Sequence, residues 1–128
     1  MKAWIPLTMI FALASGAYAQ DACTHPNSPA SPPDGSTATK DEMIAGSKIV
    51  KAYKEEMDAY LKCVQAKIDA IPDADPKNLK GAEKAAAEQK KKEKDQLTSK
   101  YNAAVDEEKE NADRFNAQIR IWKEKNKT

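Results

Sequence analysis

The stretch "TKDEMIAGSKIVKAYKEEMDAYLKCVQAKIDAI", Thr39 to Ile71, decides the fold. It opens with a capping box. Thr39 has a hydroxyl to accept from the third backbone N–H of a helix, and Glu42, three residues on, reaches back to Thr39. Asp41 and Glu42 add negative charge at the positive end of the helix dipole. Beyond the cap, Met43, Val50, Met57, Leu61, Val64, Ile68 and Ile71 follow one another in steps that combine threes and fours, the helical period. Ser47 and Lys54 stand at the two remaining positions of this stripe, and Ile49, Tyr53 and Tyr60 widen it on one side. A helix over residues 40–70 is expected.

On the C-terminal side, "IPDADPKN" at 71–78 is a break. Pro72 stops the first helix, and Asp75-Pro76 offers an N-cap followed by a proline at the first helical position. From residue 76 to 125 there is no further proline and one glycine, Gly81. Ala, Glu, Lys and Gln dominate, all strong helix formers. A second helix over 76–125 follows, after a turn at 71–76. Within it, Tyr101, Val105, Glu108, Ala112, Phe115, Ile119 and Trp122 alternate steps of four and three, a heptad seam with one acidic interruption. The fold class is therefore all-α: a long antiparallel, coiled-coil-like helical hairpin over residues 39–128. The alternative is a three-helix bundle, formed if the second helix bends near Thr98-Ser99.

A tight hairpin that places Ile68 opposite Ala82 sets Val50 opposite residue 100 or so, and Met43 opposite about 107. Phe115, Ile119 and Trp122 then overhang the first helix. Exposed apolar stripes of this kind mark interaction surfaces, so these three residues form a candidate surface for a protein partner or for self-association. Lys90, Lys91, Lys92 and Lys94 form a basic cluster, and Asp106, Glu107, Glu108 and Glu110 an acidic one further on. Either a partner or a solvated helix face accounts for them.

On the N-terminal side, residues 1–19 read "MKAWIPLTMIFALASGAYA". One basic residue, a short apolar run and the ending Ala17-Tyr18-Ala19 make a secretory signal peptide with an A-x-A cleavage site. The apolar run falls short of the roughly 20 residues of a spanning helix. No membrane span is expected after cleavage, and the address is periplasmic or secreted. Lys2 is the only charged residue of this leader, so its loss takes 21 basic residues to 20, against 20 acidic. A neutral chain is not steered towards nucleic acid or an anionic membrane.

Between leader and helix lies an extended arm, residues 20–38, rich in Pro, Ser, Ala and Thr. Its prolines forbid regular pairing. It carries Cys23, and the only other cysteine is Cys63 on the first helix. In an exported chain two cysteines pair by default. An arm of polyproline type is long enough to run back along the helix from its cap to Cys63. Cys23–Cys63 is thus the expected disulfide. A metal site is not expected, because His25 is the one histidine, and no cofactor is implied.

A catalytic role finds little support. There is no Gly-rich phosphate loop, no H-E-x-x-H and no strand for a nucleophile elbow, and any triad has to draw its histidine from the arm. The chain reads as non-enzymatic. The segments "CTHPNSPASPPDGSTATKDEM" and "KAYKEEMDAYLKC", behind a secretory leader, resemble small exported helical proteins of Gram-negative bacteria that carry no assigned function. The resemblance implies a periplasmic address and a two-cysteine arm-and-helix unit, and supplies no active site. In outline the hairpin is also similar to periplasmic coiled-coil chaperones, which are usually basic where this chain is neutral. The expected function is a periplasmic binding or structural protein, chaperone-like or of immunity or inhibitor type. The alternative is a secreted effector or an accessory subunit of an envelope enzyme.

Overall fold

The computed structural model describes residues 23–127; the expected signal peptide, residues 1–19, and the first residues of the expected arm, 20–22, lie outside the described residues. Two long helices make an antiparallel hairpin: α1, Lys40–Ala70, and α2, Gly81–Lys125. No strand occurs among the described residues. The arm, residues 23–38, lies along the pair.

α1 begins where its cap dictates. Thr39 has extended backbone, its side chain accepts from the Glu42 N–H, and the Glu42 carboxylate accepts from the Thr39 N–H at 2.7 Å. These bonds to the ionised form hold the Glu42 carboxyl below its ordinary range. The helix ends at Ala70, because Pro72 follows and lacks the N–H that another turn needs.

The connection is longer than a turn. Asp75 caps only a three-residue 3-10 turn, Pro76–Asn78, by accepting from the Lys77 N–H at 3.0 Å. Leu79 and Lys80 are then extended, and α2 starts at Gly81 rather than at Pro76. Gly81 has φ +58, the left-handed region that residues with a Cβ rarely adopt. The expected start at 76 treated this glycine as an interior residue, whereas it is the point of reversal. Residues 71–80 run on beside α2 before the chain turns back: Asp73 pairs with Lys94, and Ile71 and Leu97 line one hollow.

α2 is continuous to Lys125, so the three-helix alternative is not formed. At the suspected bend the Thr98 hydroxyl donates to the Lys94 carbonyl at 2.9 Å, which ties it into its own helix.

The core follows from the α1 pattern with one change of emphasis. Tyr53, Met57, Tyr60, Leu61 and Val64 are buried and gather around Ala104 of α2, with Cys23, Ile68, Leu97 and Tyr101 packed at the edge. Tyr53 and Tyr60 belong to the side that the arm covers. Ile49, expected beside them, is 47% exposed. On α2 the buried positions are Ala87, Ala104, Asn111 and Phe115, so Ala104 and Asn111 take the places expected of their neighbours Val105 and Ala112. The small side chain of Ala104 sits against the core cluster of α1, and Val105 is left at the surface.

Met57 has no exposed surface. Met57→Ala is expected to cost about 2–5 kcal/mol. Urea unfolding, followed by circular dichroism with the disulfide intact, checks this; an unchanged midpoint would remove Met57 from the core.

Candidate functional site

The feature that sets this hairpin apart is the arm and the groove that holds it. Cys23 and Cys63 are bonded, with Cα atoms 5.7 Å apart and 40 positions apart in sequence. In the chain-entropy account, closing a loop of that length contributes about 4 kcal/mol. The bond anchors the arm near the end of α1, and from there the arm runs back towards the cap of α1.

Polar contacts hold its first part. The Glu107 carboxylate of α2 accepts from the Ser28 hydroxyl and from the Tyr53 hydroxyl, each at 2.7 Å, and lies 3.2 Å from Nε2 of His25. The His25 ring meets Tyr60 edge-on, with centroids 4.9 Å apart. Next to this cluster Lys54 joins Glu108 at 2.7 Å. The Ser28 hydrogen bond, then that from Tyr53, holds the Glu107 carboxyl below the usual carboxylate range, and the charge of His25 adds to them. Burial and the adjacent Glu107 push the Tyr53 phenol up.

Close packing holds the second part. A Cβ placed on Gly46 would lie 2.7 Å from Cδ of Pro33 and 3.0 Å from Cε2 of Phe115. This glycine therefore lets the arm and α2 meet on α1 at one point. The arm then turns at Asp34, whose carboxylate accepts from the Ser36 N–H and hydroxyl. Gly35 is buried; its N–H donates to Gln118 Oε1 at 2.8 Å, and a Cβ there would stand 2.1 Å from the Gln118 carbonyl oxygen. Finally, Nε1 of Trp122 donates to the Ala38 carbonyl at 3.1 Å.

These contacts overturn the expected overhang. Phe115 is 5% exposed, and Ile119 and Trp122 are partly buried. The start of α1 and the turn of the arm cover the face that the tight hairpin left bare. The cause is register. Tyr53 meets Glu107, Lys54 meets Glu108 and Gly46 meets Phe115. Each pairing falls roughly three helical turns further along α2 than a tight turn requires, because residues 71–80 occupy the intervening length. The overhang exists at the other end, where the first turns of α2 run beside the linker.

The basic cluster stands on those turns. Lys90, Lys91 and Lys92 are exposed; Lys91 pairs with Asp95 at 2.8 Å, and Lys94 bonds Asp73 of the linker. At 100° per residue these lysines spread around the helix rather than forming one face. The solvated reading is the one that their contacts support. Asn111, Gln118 and Gly46 were not singled out from the sequence, and Glu107 was read only as one member of an acidic cluster. A glycine inside a helix costs about 1 kcal/mol relative to Ala, so Gly46 was the legible mark of a close approach.

Among the described residues, no group of three or more His, Cys, Asp or Glu is placed to hold a metal ion, and no helix is long and apolar enough to cross a membrane. The hollow beside the disulfide, lined by Thr24, Pro26, Glu56, Ala59 and Tyr60, lies at the surface.

Phe115→Ala is expected to lower monomer stability by about 3–5 kcal/mol, with sedimentation unchanged. Equal stability with altered sedimentation would restore the interaction-surface reading. Glu107 gives a pH dependence. Its folded carboxyl titrates below the unfolded value of about 4.3, so its stabilisation is present above that value and is lost as pH falls through the folded one. The parent is expected to lose more melting temperature than Glu107→Gln on acidification from pH 7 to about 3; equal losses would show that Glu107 does not stabilise the fold.

No protein-family model, curated protein or solved structure matches this chain.

Proposed function

We propose that this chain is a non-enzymatic binding or structural protein of the periplasm or the secreted fraction. It acts through its shape on a protein partner, as a chaperone-like holder or as an immunity or inhibitor protein. One observation carries the reading: the arm, closed by Cys23–Cys63, places the chain's one histidine, His25, in a fastening between arm and helices. His25 is the only histidine, and it faces Glu107 and the Pro26 carbonyl. The Ser28 hydroxyl donates to Glu107 rather than to His25. A hydroxyl nucleophile needs a base positioned to take its proton, and a carboxylate shared with Tyr53 and His25 is already committed. The leader at residues 1–19 and the bonded cysteines support export to an oxidising compartment.

Expression of the full chain in a Gram-negative host, followed by fractionation, N-terminal sequencing and thiol titration, tests the address. A product beginning at Gln20, in the periplasm or medium and with no free thiol, is expected. A reduced cytoplasmic product that retains residues 1–19 would refute it. For the mode of action, the oxidised chain is cross-linked in envelope extract. A defined protein partner is expected, captured by the parent and lost from a form without residues 20–38. Hydrolytic turnover that disappears in His25→Ala would overturn the non-enzymatic reading.

A further inference from the structure

The surroundings of His25 go beyond a fixed fastening. Its Nδ1 lies 2.7 Å from the carbonyl oxygen of Pro26, and its Nε2 lies 3.2 Å from a carboxylate oxygen of Glu107. Both partners are acceptors only. A neutral imidazole carries one N–H, so it satisfies one of these oxygens and turns a lone pair towards the other. The protonated ring donates to both and brings a positive charge to the carboxylate. We infer that His25 is a proton-operated latch: its protonated ring helps to hold residues 25–29 of the arm in the groove, and loss of that proton loosens them while Cys23 stays bonded to Cys63.

The neighbouring charges favour this assignment to one residue. On α2 the facing groups are Glu107 and Glu108, the latter engaged by Lys54 of α1 at 2.7 Å. On α1 they are Tyr53, Tyr60 and Glu56, with Cys63 bonded and unable to titrate. The arm itself has no other ionisable group from Thr24 to Pro33, and Asp34 belongs to the far turn, bonded to Ser36. Histidine is the one side-chain type in this set that changes charge between about pH 5 and 8. The sign follows from the donors: the latch is closed on the acid side of this window and opens as pH rises. The segment it frees is short. The disulfide holds one end, and Pro33, Gly35 and Ala38 hold the other against Gly46, Gln118 and Trp122. What the opening uncovers is the side of α1 that carries Tyr53 and Tyr60.

The test uses the 15N-labelled protein with its disulfide intact. As the only histidine, His25 has a ring signal that is followed directly by NMR. Backbone order parameters at Asn27, Ser28, Ala30 and Ser31 report the arm. In the parent, order at Asn27 and Ser28 is expected to fall from about 0.85 towards 0.6 between pH 5 and 8, along the curve of the His25 ring. Ala30 and Ser31, nearer the packed end, are expected to change less. In His25→Gln and in Glu107→Gln, Asn27 and Ser28 are expected to stay at the low values across the range, with helix content unchanged by circular dichroism. Constant order in the parent from pH 5 to 8 would overturn the latch, and so would an equal pH response in His25→Gln.

Discussion

The fold depends on burying more than two helices can cover for each other. α1 carries apolar side chains around too wide an arc for α2 alone. Met57, Leu61 and Val64 meet α2 near Ala104, while Tyr53 and Tyr60 turn towards the side that the arm occupies. The arm is thus a third layer with no hydrogen-bonded regular structure of its own. Its prolines reduce the entropy it loses on docking, and the Cys23–Cys63 bond limits how far it strays when undocked. Without that closure, an irregular strip of some 16 residues would have to hold its place by side-chain contacts alone.

Those contacts divide the arm into two regimes. Near Cys23 they are polar and partly wet: Ser28, Tyr53 and His25 converge on one carboxylate. Near the cap of α1 they are steric, and the two glycines that permit the approach leave no room for any larger residue. The polar part answers to pH and salt, because charges and their partners decide it. The steric part does not, because packing geometry decides it. One short segment therefore has a tunable half and a fixed half.

Local chemistry was legible in the sequence, and relative placement was not. The helix from Lys40 to Ala70 was readable because Thr39, Glu42 and Pro72 act on their nearest neighbours. The disulfide was readable because the chain has two cysteines and an arm of sufficient reach. The register was missed because it depends on where the chain reverses. That point is one residue, Gly81, and its being a glycine was the available sign of a left-handed backbone, read instead as helix interior. An error there moves every cross-helix pair together, so Phe115, Ile119 and Trp122 looked bare although the start of α1 and the arm cover them. The choice of Val105 and Ala112 over Ala104 and Asn111 has a different origin. The steps of four and three run through Val105 and Ala112, whereas the packing seats Ala104 and Asn111 one position earlier, the latter with its side chain bonded to the Glu107 carbonyl.

The longest-range contacts join the arm to the last turns of α2: Gly35 to Gln118 and Ala38 to Trp122, 83 and 84 positions apart. A ribosome therefore makes the arm before nearly everything it rests on. Cys63 precedes the whole of α2 in the chain, whereas Glu107, Phe115 and Trp122 come near the end. Synthesis thus sets an order of appearance, in which the arm and both cysteines exist before the groove is complete. Once formed, the cross-link shortens the high sequence separation that slows such closure in a free chain. The cysteine pair acts in time as well as in space, keeping the earliest segment close at hand for the last one.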